Sequence, residues 1–319
     1  MKTVGFLKST KENEKRIAIH FDDIKSVKNI NCLFFEKGYF ENFNISDDEV
    51  LKTGANVVEK KEAILQDIIC DPKAGDSEYI SSLKNGTIVF GWIHAVQNRE
   101  ITDKFINNNL TAIAWEDMYE MGRHSFWRNN EIAGEAAIFN AYSIYGRLPY
   151  ETSVALIGKG NSARGALTTL TSLGAKVEVY DRKMERMLRD RIGEYDVVVN
   201  AILWDTKRKD HIIYREDLKR MKRDSMIIDI SCDKSGAIET SIPTTIQNPV
   251  YYSENVLHYV VDHTPSILYK TSTSAISNEV VKYLDILIEN RECDIIKSAT
   301  IIKDGKIIDN RINEFQNRK

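Results

Sequence analysis

The run Ser153 to Ala166, SVALIGKGNSARGA, limits the fold more than any other stretch of this chain. The apolar, strand-like Val154 to Ile157 stops at two glycines one residue apart and passes directly into the helix-like Ala163 to Leu173. Gly158-Lys159-Gly160-Asn161-Ser162-Ala163 thus matches G-x-G-x-x-A between a strand and a helix. In that geometry the first glycine makes the turn, the second lets backbone approach a pyrophosphate, and the third position packs helix against strand. Only the last of these roles tolerates alanine, and the helix N-terminus stays available to phosphate charge. A glycine turn also has a purely steric explanation, so the reading depends on its surroundings.

Asp181 stands 23 residues after Gly158 at the end of the next strand-like run, Lys176 to Tyr180, close to the ~20 expected of a ribose-binding acid. A carboxylate there favours NAD, whereas Arg182 and Lys183 directly after it are suited to the 2′-phosphate of NADP. The cofactor-binding candidates are therefore Gly158, Gly160, Asn161, Ser162, Ala163, Asp181, Arg182 and Lys183.

Strand-like and helix-like runs alternate almost throughout, which predicts an α/β fold: two domains, each with a mostly parallel sheet flanked by helices, the second a Rossmann dinucleotide-binding fold. A chain of 319 residues has room for both cores. Predicted strands before the glycine turn are 3–6, 32–35, 67–70, 87–92 and 111–115. After it come 176–180, 196–202, 226–230 and 258–261. A helix over 131–145, ended by Gly146, links the two series, and another covers 277–289. The domains are expected at 1–128 and 129–268.

A net charge of −3 with dispersed charges argues against nucleic acid as a partner. The most basic stretch, Lys207-Arg208-Lys209 with Lys219, Arg220, Lys222 and Arg223, reads as a solvated face. No apolar run reaches the ~20 residues that span a bilayer, no leader is recognisable, and the four separated cysteines show no C-x-x-C pair. The expectation is a cytoplasmic protein with reduced thiols, no membrane partner and no metal.

Before the glycine turn, polar groups collect at strand ends. Arg16 in KENEKRIAI has the planar fork that clamps a carboxylate, although from the stretch alone a surface arginine at the mouth of a helix is the more natural reading. Lys73 in CDPKAG follows a buried strand, where an ammonium could polarise a carbonyl. His94 in FGWIH is the best acid–base candidate among six histidines. Singly, none decides a function.

Together, in order and over nearly the full length, KENEKRIAI, DPKAG, FGWIH, NEIAG (130–134), IIDISCDKSGAIETSIPTT (227–245) and VDHTPSILYKTST (261–273) resemble the alanine dehydrogenase and saccharopine dehydrogenase superfamily. By length and by GWIH, GKGNSARGA, YDRK and TPSILY, the chain is most similar to the N5-(carboxyethyl)ornithine synthase family. The resemblance implies a substrate domain first, completed by a C-terminal helix (269–319), and a dinucleotide domain second. It implies reductive condensation of pyruvate with the side-chain amine of ornithine or lysine, with NADP preferred and NAD possible. Arg16 would hold the 2-oxo acid, Lys73 would polarise its ketone, His94 would supply the proton, and Asp233 would sit at the active-site aspartate. His263 stands where alanine dehydrogenases carry Asn, which tilts the reading away from them. Asp233 and His263 are the candidates to deprotonate the attacking amine, and Arg123, His124 and Arg128 to line the amino-acid pocket. Asp262 is poorly placed to orient His263, since neighbours on an extended segment face opposite ways. Small-molecule substrates, a 2-oxo acid and an amino acid, and a homo-oligomer are expected. Alanine dehydrogenase activity, saccharopine dehydrogenase-like activity and a non-catalytic dinucleotide-binding regulator are the alternatives.

Overall fold

The structure is a computed structural model and describes residues 1–205 and 208–318, so Lys207 of the basic stretch lies outside the described residues. The chain divides into two compact units, Met1–Trp127 with Tyr269–Lys319, and Arg128–Leu268.

Unit one opens with β1 (Val4–Phe6), β2 (Leu33–Glu36), helix α1 (Asp47–Lys52), β3 (Asn56–Val58), α2 (Lys60–Ala63), β4 (Ile68–Cys70), β5 (Ile88–Gly91), α3 (Arg99–Asn107) and β6 (Thr111–Ala114). These strands pair in parallel in the order β6-β5-β4-β1-β2-β3. Both faces are buried, and the side chains alternate as the pleat requires. Ile68, Cys70 and Phe90 point to one core layer, Ile69 and Val89 to the other. A small hairpin, β7 (Tyr119–Glu120) and β8 (Arg123–His124), precedes α4 (Trp127–Tyr145), which starts a turn earlier than the sequence suggested.

Unit two contains β9 (Ser153–Ile157), α5 (Asn161–Ser172), β10 (Lys176–Tyr180), α6 (Glu185–Arg191), β11 (Val197–Asn200), α7 (Arg215–Leu218), β12 (Met226–Asp229), β13 (Val250–Ser253) and β14 (Val256–Tyr259). The order is β10-β9-β11-β12-β14-β13, parallel except for β13. Val154 and Leu156 of β9 fill one core layer, Ala155 and Ile157 the other.

The chain then re-enters unit one as α8 (Tyr269–Ile288). Its Ile276, Val280, Leu284 and Ile288 are buried in the layer around Phe6 and Phe35. Side chains on α8 also satisfy backbone donors of the Arg16 segment: Thr273 Oγ1 accepts from Ile17 N–H (3.1 Å) and Ser277 Oγ from His20 N–H (2.8 Å). A single helix over 269–319 does not form. After Ile288 come α9 (Asp294–Ala299), β15 (Thr300–Lys303), β16 (Lys306–Ile307) and α10 (Asn310–Gln316). Asp304 and Gly305 both take positive φ (47° and 73°) and turn β15 into β16, as Asp-Gly does in tight hairpins. β15 pairs antiparallel with β6, completing an eight-stranded sheet.

In unit one the chain runs from β1 through β2 to β3 on one side and then returns to β4 on the other. In unit two it runs from β9 to β10 and returns to β11. Each sheet therefore has a switch point, where crossovers diverge and leave a crevice at the carboxyl ends. Beside the first crevice the loops after β4 and β5 interlock. Asp71 N–H donates to Phe90 O (3.2 Å) and Gly75 N–H to Trp92 O (2.9 Å). A Cβ at Gly91 would lie 2.0 Å from the Asp71 carbonyl oxygen, and one at Gly75 2.2 Å from that of Ile93. Gly91→Ala should therefore cost ~1–3 kcal/mol in urea unfolding. A loss within about 0.5 kcal/mol would mean that these loops separate freely.

Candidate functional site

At the carboxyl edge of unit one, Arg16 and Lys73 lie in the loops after β1 and β4, on either side of the switch point. Arg16 is 5% exposed. Its Nε donates to Glu14 Oε1 (2.8 Å) and its Nη2 to Glu14 Oε2 (2.5 Å), a two-pronged pairing that fixes the plane of the fork. The guanidinium also lies over the Trp92 ring, 5.6 Å from its centroid. Burial pushes the Glu14 carboxyl upward, but Arg16, with a smaller contribution from Lys73, holds it below its ordinary range. Glu14 is therefore a buried carboxylate that neutralises Arg16.

Lys73 is nearly as buried, and its Nζ is 2.9 Å from Asp76 Oδ2, an oxygen that Lys11 also reaches at 2.9 Å. Burial lowers the Lys73 pKa; Asp76 opposes this, and Lys11 and Arg16 add to it. Asp76 is held down at about 2 against its own burial, mainly by Lys73. The Lys73 loop is anchored by the fully buried Asp71, which accepts from Lys73 N–H (2.7 Å), Tyr79 Oη (2.5 Å) and Ser77 Oγ (3.2 Å).

His94 follows β5, the strand next to β4, with φ +54°. Glu116, after β6, holds that conformation by accepting from His94 N–H (2.5 Å) and Ile93 N–H (3.1 Å). The imidazole Nδ1 lies 4.0 Å from Glu116 Oε1, and the ring is half exposed. Of the more loosely expected pocket residues, Arg123 stacks on Trp127 at 3.6 Å, and burial lowers the His124 pKa. Arg128 is engaged by Glu131 (3.0 Å) and Glu135 (2.6 Å).

In unit two the glycine turn leaves β9 at the switch point. Gly158 has φ +119°, and a Cβ there would come within 2.8 Å of the Ala201 carbonyl at the end of β11. A Cβ at Gly160 would meet nothing within 4 Å among the described residues. Gly160 caps α5 without a side-chain acceptor, while Ala163 is buried against β9. An open approach to an uncapped helix start, with Asp181 at the end of β10, fits a nicotinamide dinucleotide. One contact is new: Lys159 Nζ is 2.8 Å from Asp181 Oδ2.

Further along the same edge, Asp233 follows β12 and His263 follows β14. Asp229 is fully buried and accepts from Asn200 Nδ2 (2.8 Å), from Ser231 and Cys232 N–H (3.1 and 3.3 Å) and from the Ser241 hydroxyl. Asp233 is partly buried, and burial first, then Asp229, pushes its carboxyl up to about 6. The side chains of His263 and Asp262 do meet, through Nδ1 and Oδ1. They do not face opposite ways as on an extended segment, because His263 (φ −137°, ψ 46°) opens a 3₁₀ turn at Thr264–Ser266 and does not continue a strand.

Residues 5–127 match the model of the alanine dehydrogenase/PNT N-terminal domain, and residues 183–311 that of the C-terminal domain. A Clostridium botulinum protein named N(5)-(carboxyethyl)ornithine synthase is 30% identical over 91% of this chain and 98% of its own. The chain belongs to that family. A Lactococcus lactis N(5)-(carboxyethyl)ornithine synthase is 27% identical over 91% of this chain and 96% of its own. A solved L-alanine dehydrogenase shares the fold, with a TM-score of 0.84 at 20% identity and 99% of each chain covered. Membership of the N(5)-(carboxyethyl)ornithine synthase family makes the chain an oxidoreductase of the dehydrogenase type acting on CH–NH bonds, with a nicotinamide dinucleotide cofactor. Among the described residues no helix is long and apolar enough to cross a membrane.

The sequence reading does not include Glu14, Asp76, Glu116 and Lys159, which pair with Arg16, Lys73, His94 and Asp181, or the buried Asp229 near Asp233. Glu14 stands two residues before Arg16, a spacing that puts both on one side of an extended segment.

The Asp233 carboxyl gives a pH test. With a folded pKa of about 6 against an ordinary 3.8, the folded state binds more protons than the unfolded one between those values. Stability contributed at this site therefore falls as pH rises through that window. Asp233→Asn should be more stable than wild type by about 1–2 kcal/mol at pH 7.5, allowing for its partial exposure. That gain should disappear by pH 4, as read in denaturant titrations; a pH-independent gain would rule out the raised carboxyl.

Proposed function

We propose that the protein reductively condenses pyruvate with the side-chain amine of ornithine or lysine, giving an N-(1-carboxyethyl) amino acid, with NADP as the preferred cofactor. The observation that carries this reading is the Arg16 and Lys73 pair at a switch point, in a chain of nearly the same length as relatives named N(5)-(carboxyethyl)ornithine synthase.

Arg16, its plane fixed by Glu14, binds the carboxylate of the 2-oxo acid, a planar acceptor that suits its fork. Lys73 then donates to the ketone oxygen. Its lowered pKa makes it a stronger acid than an ordinary ammonium, so it stabilises the oxyanion that forms when the amine attacks. His94, aimed by its positive-φ backbone, protonates the departing hydroxyl of the carbinolamine, which leaves as water to give the imine. A nicotinamide dinucleotide held by the glycine turn and the end of β10 would supply the hydride that reduces the imine to the secondary amine. The side-chain amine must be neutral to attack. Asp233, whose carboxyl burial and Asp229 push up to about 6, is the base assigned to remove its proton, and His263, braced by Asp262, is the second candidate.

The test is a substrate-pair screen. Purified protein with NADPH, pyruvate and ornithine or lysine should oxidise the cofactor and yield a secondary amine of the expected mass. Turnover with ammonia alone would make the enzyme an alanine dehydrogenase, and turnover only with 2-oxoglutarate and lysine would make it saccharopine dehydrogenase-like. His94→Asn, which tolerates a positive φ, and Lys73→Met should each lower kcat by about 10²–10⁴. Arg182→Ala should weaken NADPH several-fold more than NADH; equal losses would exclude a 2′-phosphate role.

A further inference from the structure

We propose that Lys159, the residue between the two glycines of the turn, selects the cofactor: it neutralises Asp181 so that a 2′-phosphate, not a free ribose hydroxyl, is the favoured ligand at the end of β10. This rests on unit two binding a nicotinamide dinucleotide.

The register of the sheet creates the contact. Ile157 and Tyr180 are the last paired residues of β9 and β10, and Gly158 N–H donates to Tyr180 O (2.9 Å). One residue beyond that bond, the continuations of the two strands present Lys159 and Asp181. Lys159 Nζ meets Oδ2 at 2.8 Å, while Oδ1 accepts Lys183 N–H at 3.0 Å. Both carboxylate oxygens are thus engaged by the protein before any ligand arrives. A ribose diol needs that carboxylate as an acceptor, whereas a 2′-phosphate is repelled by it.

Asp181 carries one negative charge; Lys159, Arg182 and Lys183 carry three positive ones, leaving a local excess of two. A phosphate monoester carries about −1.5 to −2 near neutral pH, so it matches this excess, while an uncharged hydroxyl gains nothing from it. Arg182 and Lys183 are exposed in the turn after β10, and Lys159 is 63% exposed, so all three can reach a ligand without unfolding. The turn position thereby joins the β10 end as a second determinant of cofactor choice.

Binding, not turnover, tests this. Dissociation constants for NADPH and NADH are measured by nicotinamide fluorescence, and those for adenosine 2′,5′-bisphosphate and 5′-AMP by calorimetry, so that only the 2′-phosphate differs within each pair. Lys159→Ala should weaken NADPH and the bisphosphate about five- to tenfold and leave NADH and 5′-AMP unchanged or tighter, since the freed carboxylate oxygen can then accept from the ribose diol, while Lys159→Arg retains the preference. In an Asp181→Asn background the penalty of Lys159→Ala should shrink, because the charge to be neutralised is gone. Equal weakening within each pair, or none, overturns the selecting role while leaving dinucleotide binding intact. Failure of the wild-type protein to bind any of the four overturns the dinucleotide reading and this proposal with it.

Discussion

In a parallel sheet every strand delivers its carboxyl end to the same edge, so one hydrogen-bond register decides which loops become neighbours. In unit one the order β6-β5-β4-β1 places the loops bearing Glu116, His94, Lys73 and Arg16 side by side. In unit two the order β10-β9-β11-β12-β14 lines up Asp181, the glycine turn, Asn200, Asp233 and His263. Residues far apart in sequence meet because the backbone ladder holds them there. A one-residue slip of β4 against β5 would exchange their core faces and displace the Lys73 loop from the His94 loop.

Charge at this edge is organised in buried or half-buried pairs, not as isolated ions. Arg16 with Glu14, Lys73 with Asp76 and Lys11, and His94 with Glu116 each combine a group suited to substrate chemistry with a carboxylate that keeps it oriented. A guanidinium with only 4% of its side chain exposed could not persist unpaired. The acids missing from the sequence reading are thus the reason that the basic groups found there can be buried at all.

Local patterns were enough to locate the strand–turn–helix at 153–173, Asp181 at the end of β10, and the positions of Lys73 and His94 in loops just beyond apolar strands. The partners were hidden for a physical reason. A glutamate in KENEKRIAI reads like any surface charge until a fold buries it, and Lys159 sits at a motif position where any residue fits. The tail shows a different failure. Asp304-Gly305 between two β-favouring runs is a hairpin signal, yet the pairing of Thr300 with Ile113 bridges nearly two hundred residues and no local pattern encodes it. His263 and Asp262 met because a 3₁₀ turn replaced the assumed extended chain.

Unit one is discontinuous in the chain, whereas unit two runs without a break from Arg128 to Leu268. On the ribosome, which extends the chain at roughly 5–20 residues per second, the second unit can close as soon as its last strand emerges. The first has to wait. Until α8 is made, the apolar layer around Phe6 and Phe35 lacks its cover, and until β15 is made the β6 edge is unpaired. A nascent chain stalled before residue 269 would therefore expose both a greasy face and an open strand edge, the two features that recruit chaperones or other copies of the chain.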